Sequence, residues 1–360
     1  MFVCQCTVCK DLLVGLTAYA GVVMAGRPKV NRSEIAVVAS ERVNRGLAGG
    51  RVDADVLSSI GERIRHLWRL DDLLGGGPCV GLADSDLRLV LSLLERARYD
   101  QATEYSLYAS SAELARFAGW AAFDAGRHAE AQQYWQAGLK AAERGRDPGI
   151  LAYLLSNLAM QATYAGNGRT AVDLLEAARQ RVGSSVSFTV RAMLDAWQVR
   201  AHAVLRQPRE AARLLNRADE LWERRVPSDD PAWIYWMTRP SLTAEAGLAF
   251  LAVSQSQTAE QLLVDGLNAL SADSQRDRIL YLAGIAEARL AQHGGLDGAL
   301  EAANEAVALA SSLGSSRAAD QLGDFAARVI SRYRDAPAVK AFHEQLQAVL
   351  SPQGGTSSAE

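Results

Sequence analysis

The stretch "AELARFAGWAAFDAGRHAEAQQYWQAGLKAA", Ala112–Ala142, decides how the chain is to be read. Apolar residues recur at almost every helical turn, and two glycines, Gly119 and Gly126, stand seven apart. No catalytic group interrupts them. A pair of amphipathic helices meeting at a tight turn fits this pattern, with glycine where a helix ends in a left-handed residue.

The stretch is the first of several. A small-then-large pair, Ala-x-x-x-large apolar, recurs at Ala131/Trp135, Ala171/Leu175, Ala211/Leu215 and Ala259/Leu263, with a weaker copy at Ala299/Ala303. The alanines are separated by 40, 40, 48 and 40 residues, so five units share one register with a single eight-residue insertion. Five residues before each alanine comes a turn position: Gly126, Gly166, Arg206, Ser254 and Gly294. Loop signals separate the units, among them "RDPG" at 146–149, "VGSS" at 182–185 and "VPSDDP" at 226–231. The expectation is an all-α fold, an α-solenoid of stacked antiparallel helix pairs with a period of about 40 residues. Such a solenoid presents a concave face lined by the first helix of each pair. Recognition, rather than catalysis, is the function this implies.

Composition agrees. The hydrophobic share is 49% and prolines number only nine of 360 residues, which favours helix and supplies a large core. A net charge of −3 excludes the basic excess of a stand-alone nucleic-acid binder, although residues 1–70 carry ten Lys/Arg against six Asp/Glu. Cysteines are confined to Cys4, Cys6, Cys9 and Cys79, so no disulfide framework spans the repeats. The first three, at an extreme terminus without a downstream Cys/His knuckle, read as incidental rather than as a metal site. An apolar run at 11–26 is too short and glycine-rich for a membrane span and reads as a buried helix, with a secretory leader as the alternative. "NRSEIAVVASERVNRG" reads as one helix, with Ser33 as N-cap and Gly46 as C-cap.

The chemistry screen is negative. There is no phosphate-binding loop, no His-Glu-x-x-His and no Gly-x-Ser-x-Gly, and the histidines His66, His128, His202, His293 and His343 are not at ligand spacing. "GGGP" at 75–78 reads as a hinge. No enzyme activity, metal or cofactor is expected.

The units resemble the tetratricopeptide repeat. In the first, Gly119 and Gly126 fall on the glycine positions, Ala131 on the small one and Trp135 on the aromatic one, while Ala115 and Ala122 replace expected aromatics. HEAT-type pairs have a similar period and are the fold-level alternative. A closer resemblance covers about residues 52–350. "VDADVLSSIGERIRHLW", then "RLDDLLGGG" at Arg69–Gly77, then the Ala112 block, together look like the C-terminal sensory domain of actinobacterial Xre-type helix-turn-helix transcriptional regulators. That resemblance implies a cytoplasmic, ligand-sensing repeat domain that supports dimerisation, with a peptide or partner protein as ligand. The roughly fifty residues before Val52 lack two helices with a common core, so a DNA-binding domain is expected to be missing or degenerate, and DNA contact is left open. A complete regulator with a minimal N-terminal domain is the alternative, and a secreted or envelope scaffold the second.

The organisation expected is therefore an ill-defined segment at 1–51, a helical lead-in at 52–104, the repeat domain at 105–350 and a disordered polar tail at 351–360. Repeat geometry directs Glu113, Arg116, Trp120, Phe123, Tyr153, Ser156, Asn157, Met160 and Arg200 toward the concave side. Arginine and asparagine there suit a peptide carboxylate and backbone. "LWERRVPSDDPAWIYWM" holds Trp222, Trp233, Tyr235 and Trp236, a candidate aromatic wall beside the insertion with Trp233 and Trp236 as its candidate contacts, and Asp230 and Pro231 are expected to open a helix.

Overall fold

A computed structural model describes residues 41–271, 274–310 and 315–350. The cysteines at 4, 6 and 9, the run at 11–26, the Ser33 cap and the tail at 351–360 lie outside them. The described residues form helices and turns, with one isolated β-bridge between Arg51 and Arg98.

After a helical stretch at 41–47, the helices come in pairs. α1 (Ala54–Leu74) and α2 (Gly76–Arg96) lead in. Six units follow: α3 (Gln101–Asp124) with α4 (His128–Gly145), α5 (Pro148–Tyr164) with α6 (Gly168–Val182), α7 (Phe188–Val204) with α8 (Pro208–Glu223), α9 (Arg239–Ala252) with α10 (Ser256–Asn268), α11 (Gln275–Leu290) with α12 (Leu296–Ala310), and α13 (Ser316–Tyr333) with α14 (Pro337–Leu350). Each pair packs on the next, giving an α-solenoid of stacked antiparallel helix pairs. No described helix is long and apolar enough to cross a membrane.

The turns inside the pairs explain the period. Gly126, Gly166, Arg206, Ser254 and Gly294 all take positive φ, between 56° and 77°, so the five turn positions read from the spacing are all left-handed. Each lets the chain reverse within three residues and start the second helix in the same register. Carboxylates and hydroxyls cap several first helices, as where Asp100 accepts from the Thr103 N–H at 2.9 Å and Asp147 from that of Ile150 at 2.9 Å.

The small-then-large pairs are what the two helices share. Trp135 is fully buried over Gly119, where an added Cβ would lie 2.3 Å from its Nε1, and that N–H donates to the Arg116 carbonyl at 3.1 Å. Glycine is needed there because the indole occupies the side-chain space. Ala131, Ala171, Ala259 and Ala299 are likewise fully buried, with Leu175, Leu263 and Ala303 as their partners. The third unit departs from the expected pair: Leu214 is buried and Leu215 only half-buried, a shift of one residue around the helix.

Three local expectations are corrected. Asp230 and Pro231 do not open an α-helix; the insertion forms two 3₁₀ turns, Pro227–Asp229 and Ala232–Ile234, and Asp230 accepts from Thr189 at 2.8 Å. The next α-helix starts eight residues on, at Arg239, where Thr238 accepts from the Ser241 N–H. Gly46 lies within the 41–47 helix, and positive φ comes at Gly49. The Gly75–Gly77 segment is a packed corner instead of a hinge. A Cβ on Gly76 would stand 2.5 Å from the Ala121 carbonyl, and its N–H donates to Asp124 at 3.1 Å.

The array bends until its ends meet: α1 touches α11, and α3 touches α13. One apolar core runs from Val52 to Leu242 and a second from Ala244 to Leu346, and a small third cluster of Val199, Ala203, Ala211, Leu214 and Ala249 bridges α7 and α8 to α9. The first helices therefore surround a space between the two cores.

Candidate functional site

That space is a channel of about 1530 Å³. First helices of all six units contribute to its wall, joined by the end of α1 and by the insertion. Five of the seven tryptophans face it: Trp68, Trp120, Trp197, Trp233 and Trp236. Trp135 and Trp222 lie in the core.

Eight of the candidate contacts read from sequence line the channel: Arg116, Trp120, Phe123, Tyr153, Asn157, Arg200, Trp233 and Trp236. Glu113, Ser156 and Met160 do not. Glu113 sits behind Arg116, accepting from its Nε at 2.8 Å and from the Trp68 indole at 2.9 Å. Ser156 is buried and donates to the Tyr153 carbonyl at 2.8 Å, while Met160 packs into the core.

The wall is a graded stack of rings and guanidiniums. Arg116 lies 4.4 Å from the centre of the Tyr153 ring, which stacks on Trp233 at 4.7 Å and Trp236 at 6.0 Å. The insertion thus closes one side with aromatics. Burial pushes the Tyr153 hydroxyl up to about 12, with Arg116 opposing, so it stays protonated at neutral pH. Tyr235 stacks on Trp68 at 5.7 Å and donates to Asp72 at 2.9 Å, tying the insertion to α1. Further round, Arg200 pairs with Glu245 at 3.3 Å and sits over Tyr164 and Trp197.

Where the ends of the solenoid meet, the channel floor is ionic. Arg276 pairs with Asp71 at 2.9 Å and with Asp124 at 3.5 Å; Asp124 also meets Arg317 at 3.4 Å and accepts from Ser315 at 2.9 Å. Trp120 donates to Asp71 at 3.0 Å, and its ring lies under both guanidiniums. Burial would raise Asp124, but Arg276, Arg317 and two hydrogen bonds outweigh it and hold the carboxyl below the ordinary range. Burial leaves Asp72 and Asp277 above theirs, with Tyr235 opposing at Asp72 and the two arginines opposing at Asp277.

Three buried donors on this wall lack acceptors: the Asn157 amide, the Trp236 indole N–H and the Arg317 Nε. The Asn157 side chain is 2% exposed, with its Nδ2 unpaired. A buried unsatisfied donor costs roughly 1–3 kcal/mol, and an incoming carbonyl recovers that cost.

Sequence reasoning missed Asp71, Asp72, Tyr164, Arg276 and Arg317. It also stopped one step short. Moving 40 residues on from Asn157 reaches Trp197, and 48 further reaches Glu245, both lining the channel. Among the described residues no three His, Cys, Asp or Glu side chains stand together as a metal site. Cys79 is buried, its thiol pushed up to about 12 by desolvation, and is no nucleophile.

No protein-family model matches the chain, and no curated protein does. Among solved structures, the crystal structure of a Rap protein complexed with Competence and Sporulation Factor aligns over 81% of this chain and 98% of that one, at 10% identity and a TM-score of 0.41.

Proposed function

We propose that this chain is a regulatory repeat protein that takes a peptide, or an extended segment of a partner protein, into its channel. The observation carrying the proposal is Asn157. It is a buried amide with an unsatisfied donor, set in an aromatic wall large enough for several residues. Aromatic rings supply contact area at little entropic cost, and an amide pairs with peptide backbone. The resemblance to sensory domains of Xre-type regulators gives the class: a cytoplasmic, non-enzymatic sensor or adaptor, with the repeats at 105–350 as the binding unit, the lead-in at 52–104 and a homodimer as assembly. Eight of the residues named from sequence form the candidate contact set, with Glu113, Ser156 and Met160 supporting them from behind.

The test is titration calorimetry of the full chain with a pool of synthetic six- to ten-residue peptides. Saturable binding that weakens in Asn157→Ala, with unchanged melting temperature, is expected. Equal binding by both proteins removes Asn157 from the site, and no binding by either removes the peptide reading.

Direct DNA contact is a second reading, favoured by one feature. Arg45, Arg51 and Arg98 line a separate cavity whose lining holds a single carboxylate, Asp100. A mobility shift on DNA upstream of the gene that fades steeply with salt supports it; absence of a shift at low salt rejects it.

A further inference from the structure

The channel's charges do not balance. Four guanidiniums line it, those of Arg116, Arg200, Arg276 and Arg317, against six carboxylates. Each guanidinium has a carboxylate within ion-pair distance, Arg116 with Glu113, Arg200 with Glu245, Arg276 with Asp71 and Asp124, and Arg317 with Asp124, although the Arg317 Nε has no hydrogen-bond acceptor. Two of those partners, Glu113 and Asp124, lie behind the lining. The arginines are thus neutralised and the surplus is acidic.

Three of the six carboxylates come from two helices that pack together, α11 and α13. Asp320 and Asp324 lie four apart on α13 and, with Asp277 of α11, face the channel. Among the described residues, no basic side chain lies within ion-pair distance of these three. Elsewhere in the same channel, Asn157 holds an amide donor without an acceptor at 2% exposure, and Trp236 an unpaired indole N–H. One part of the wall holds donors without acceptors, and another holds carboxylates without an ion-pair partner. A polypeptide with a basic side chain answers both, since its carbonyls accept and its ammonium or guanidinium donates.

We infer that the channel's ligand is a cationic peptide, its backbone carbonyl on Asn157 and a lysine or arginine between Asp277, Asp320 and Asp324. This rests on the peptide reading above and adds its charge and polarity. A polyanion such as nucleic acid meets the wrong field here, because unscreened carboxylates repel it at the entrance. The same field draws cations in, so association is sensitive to salt. Burial keeps Asp277 above its ordinary range when the channel holds no cation, and a bound cation reverses that cost.

The experiment uses the full chain and its own tryptophans, five of which face the channel. Three pools of synthetic eight-residue peptides are titrated, identical in their random positions, with two fixed sites both arginine, both glutamate or both glutamine. The arginine pool is expected to bind about tenfold tighter than the glutamine pool, equivalent to about 1.4 kcal/mol. Raising salt from about 0.05 to about 0.5 M should erase most of that difference. An Asp320→Asn/Asp324→Asn double variant should bind the glutamine pool as before and lose the arginine preference. Equal or tighter binding of the glutamate pool overturns the charge assignment and leaves the peptide reading standing. An arginine preference that survives in the double variant overturns the placement. Binding of no pool at all overturns both.

Discussion

Along the solenoid and across it, different forces hold the chain. Between neighbouring units the contact is apolar and recurrent: Leu154 of α5 over Gly138 of α4, Leu205 over Gly168 of α6, Leu263 of α10 against Gly284 of α11. Across the channel, where α1 and α3 meet α11 and α13, it is ionic and single: Asp71, Asp124, Arg276 and Arg317 with Ser315 between them. Apolar stacking is cheap to repeat and tolerant of small shifts, as the Leu214 register shows. A buried ion network demands geometry, because each unpaired member is a desolvated charge. The first kind of contact builds length; the second fixes where that length must close.

The contrast can be broken from either side. Trp135→Ala empties the fully buried indole site and should cost about 3–5 kcal/mol, measured by urea denaturation and largely insensitive to salt. Survival at the parent's midpoint would disprove the register. Asp124→Ala leaves Arg276 and Arg317 facing one another and should cost about 3 kcal/mol. It should also make the transition less cooperative, because closure is one of the links between the two large apolar cores, beside the packing of α7 on α9 and the small cluster around Ala249. Unchanged cooperativity would show that closure does not couple them.

Acid probes the same group. Asp124 is held below the usual carboxylate range in the folded state, so its contribution is complete above about pH 4 and is lost as pH falls through the folded value. Urea midpoints of Asp124→Asn should therefore fall less between pH 4 and pH 2 than the parent's. A smaller effect of opposite sign is expected at Asp277, raised by burial: Asp277→Asn should gain less than about 1 kcal/mol at pH 7. Smallest of all is Asn157→Ala. Deleting an unsatisfied donor should move stability by less than about 0.5 kcal/mol while ligand binding suffers.

How much of this was legible follows from the same distinction. The five turn positions and the alanine partners repeat at fixed intervals, so the chain states its own period, and the concave face follows from helix geometry. Arg116, Asn157 and Arg200 could be placed on that face from spacing alone. The insertion could be located but not shaped, since its Trp and Pro residues suit a helix start as well as the 3₁₀ turns they form. Closure left no trace. Asp71 and Arg276 are 205 residues apart and Asp72 and Tyr235 are 163 apart, with no period relating either pair. Superhelical curvature accumulates from small rotations at every junction, and the residues meeting at its end belong to no repeat position.

A double-mutant cycle on Asp71 and Arg276 tests that closure most directly. Urea denaturation of the parent, Asp71→Ala, Arg276→Ala and the double variant gives the coupling between two residues 205 positions apart. The double variant should cost less than the sum of the singles, by at least about 1 kcal/mol. Additivity within about 0.5 kcal/mol would mean that the two ends do not meet in solution and that the channel is an open groove.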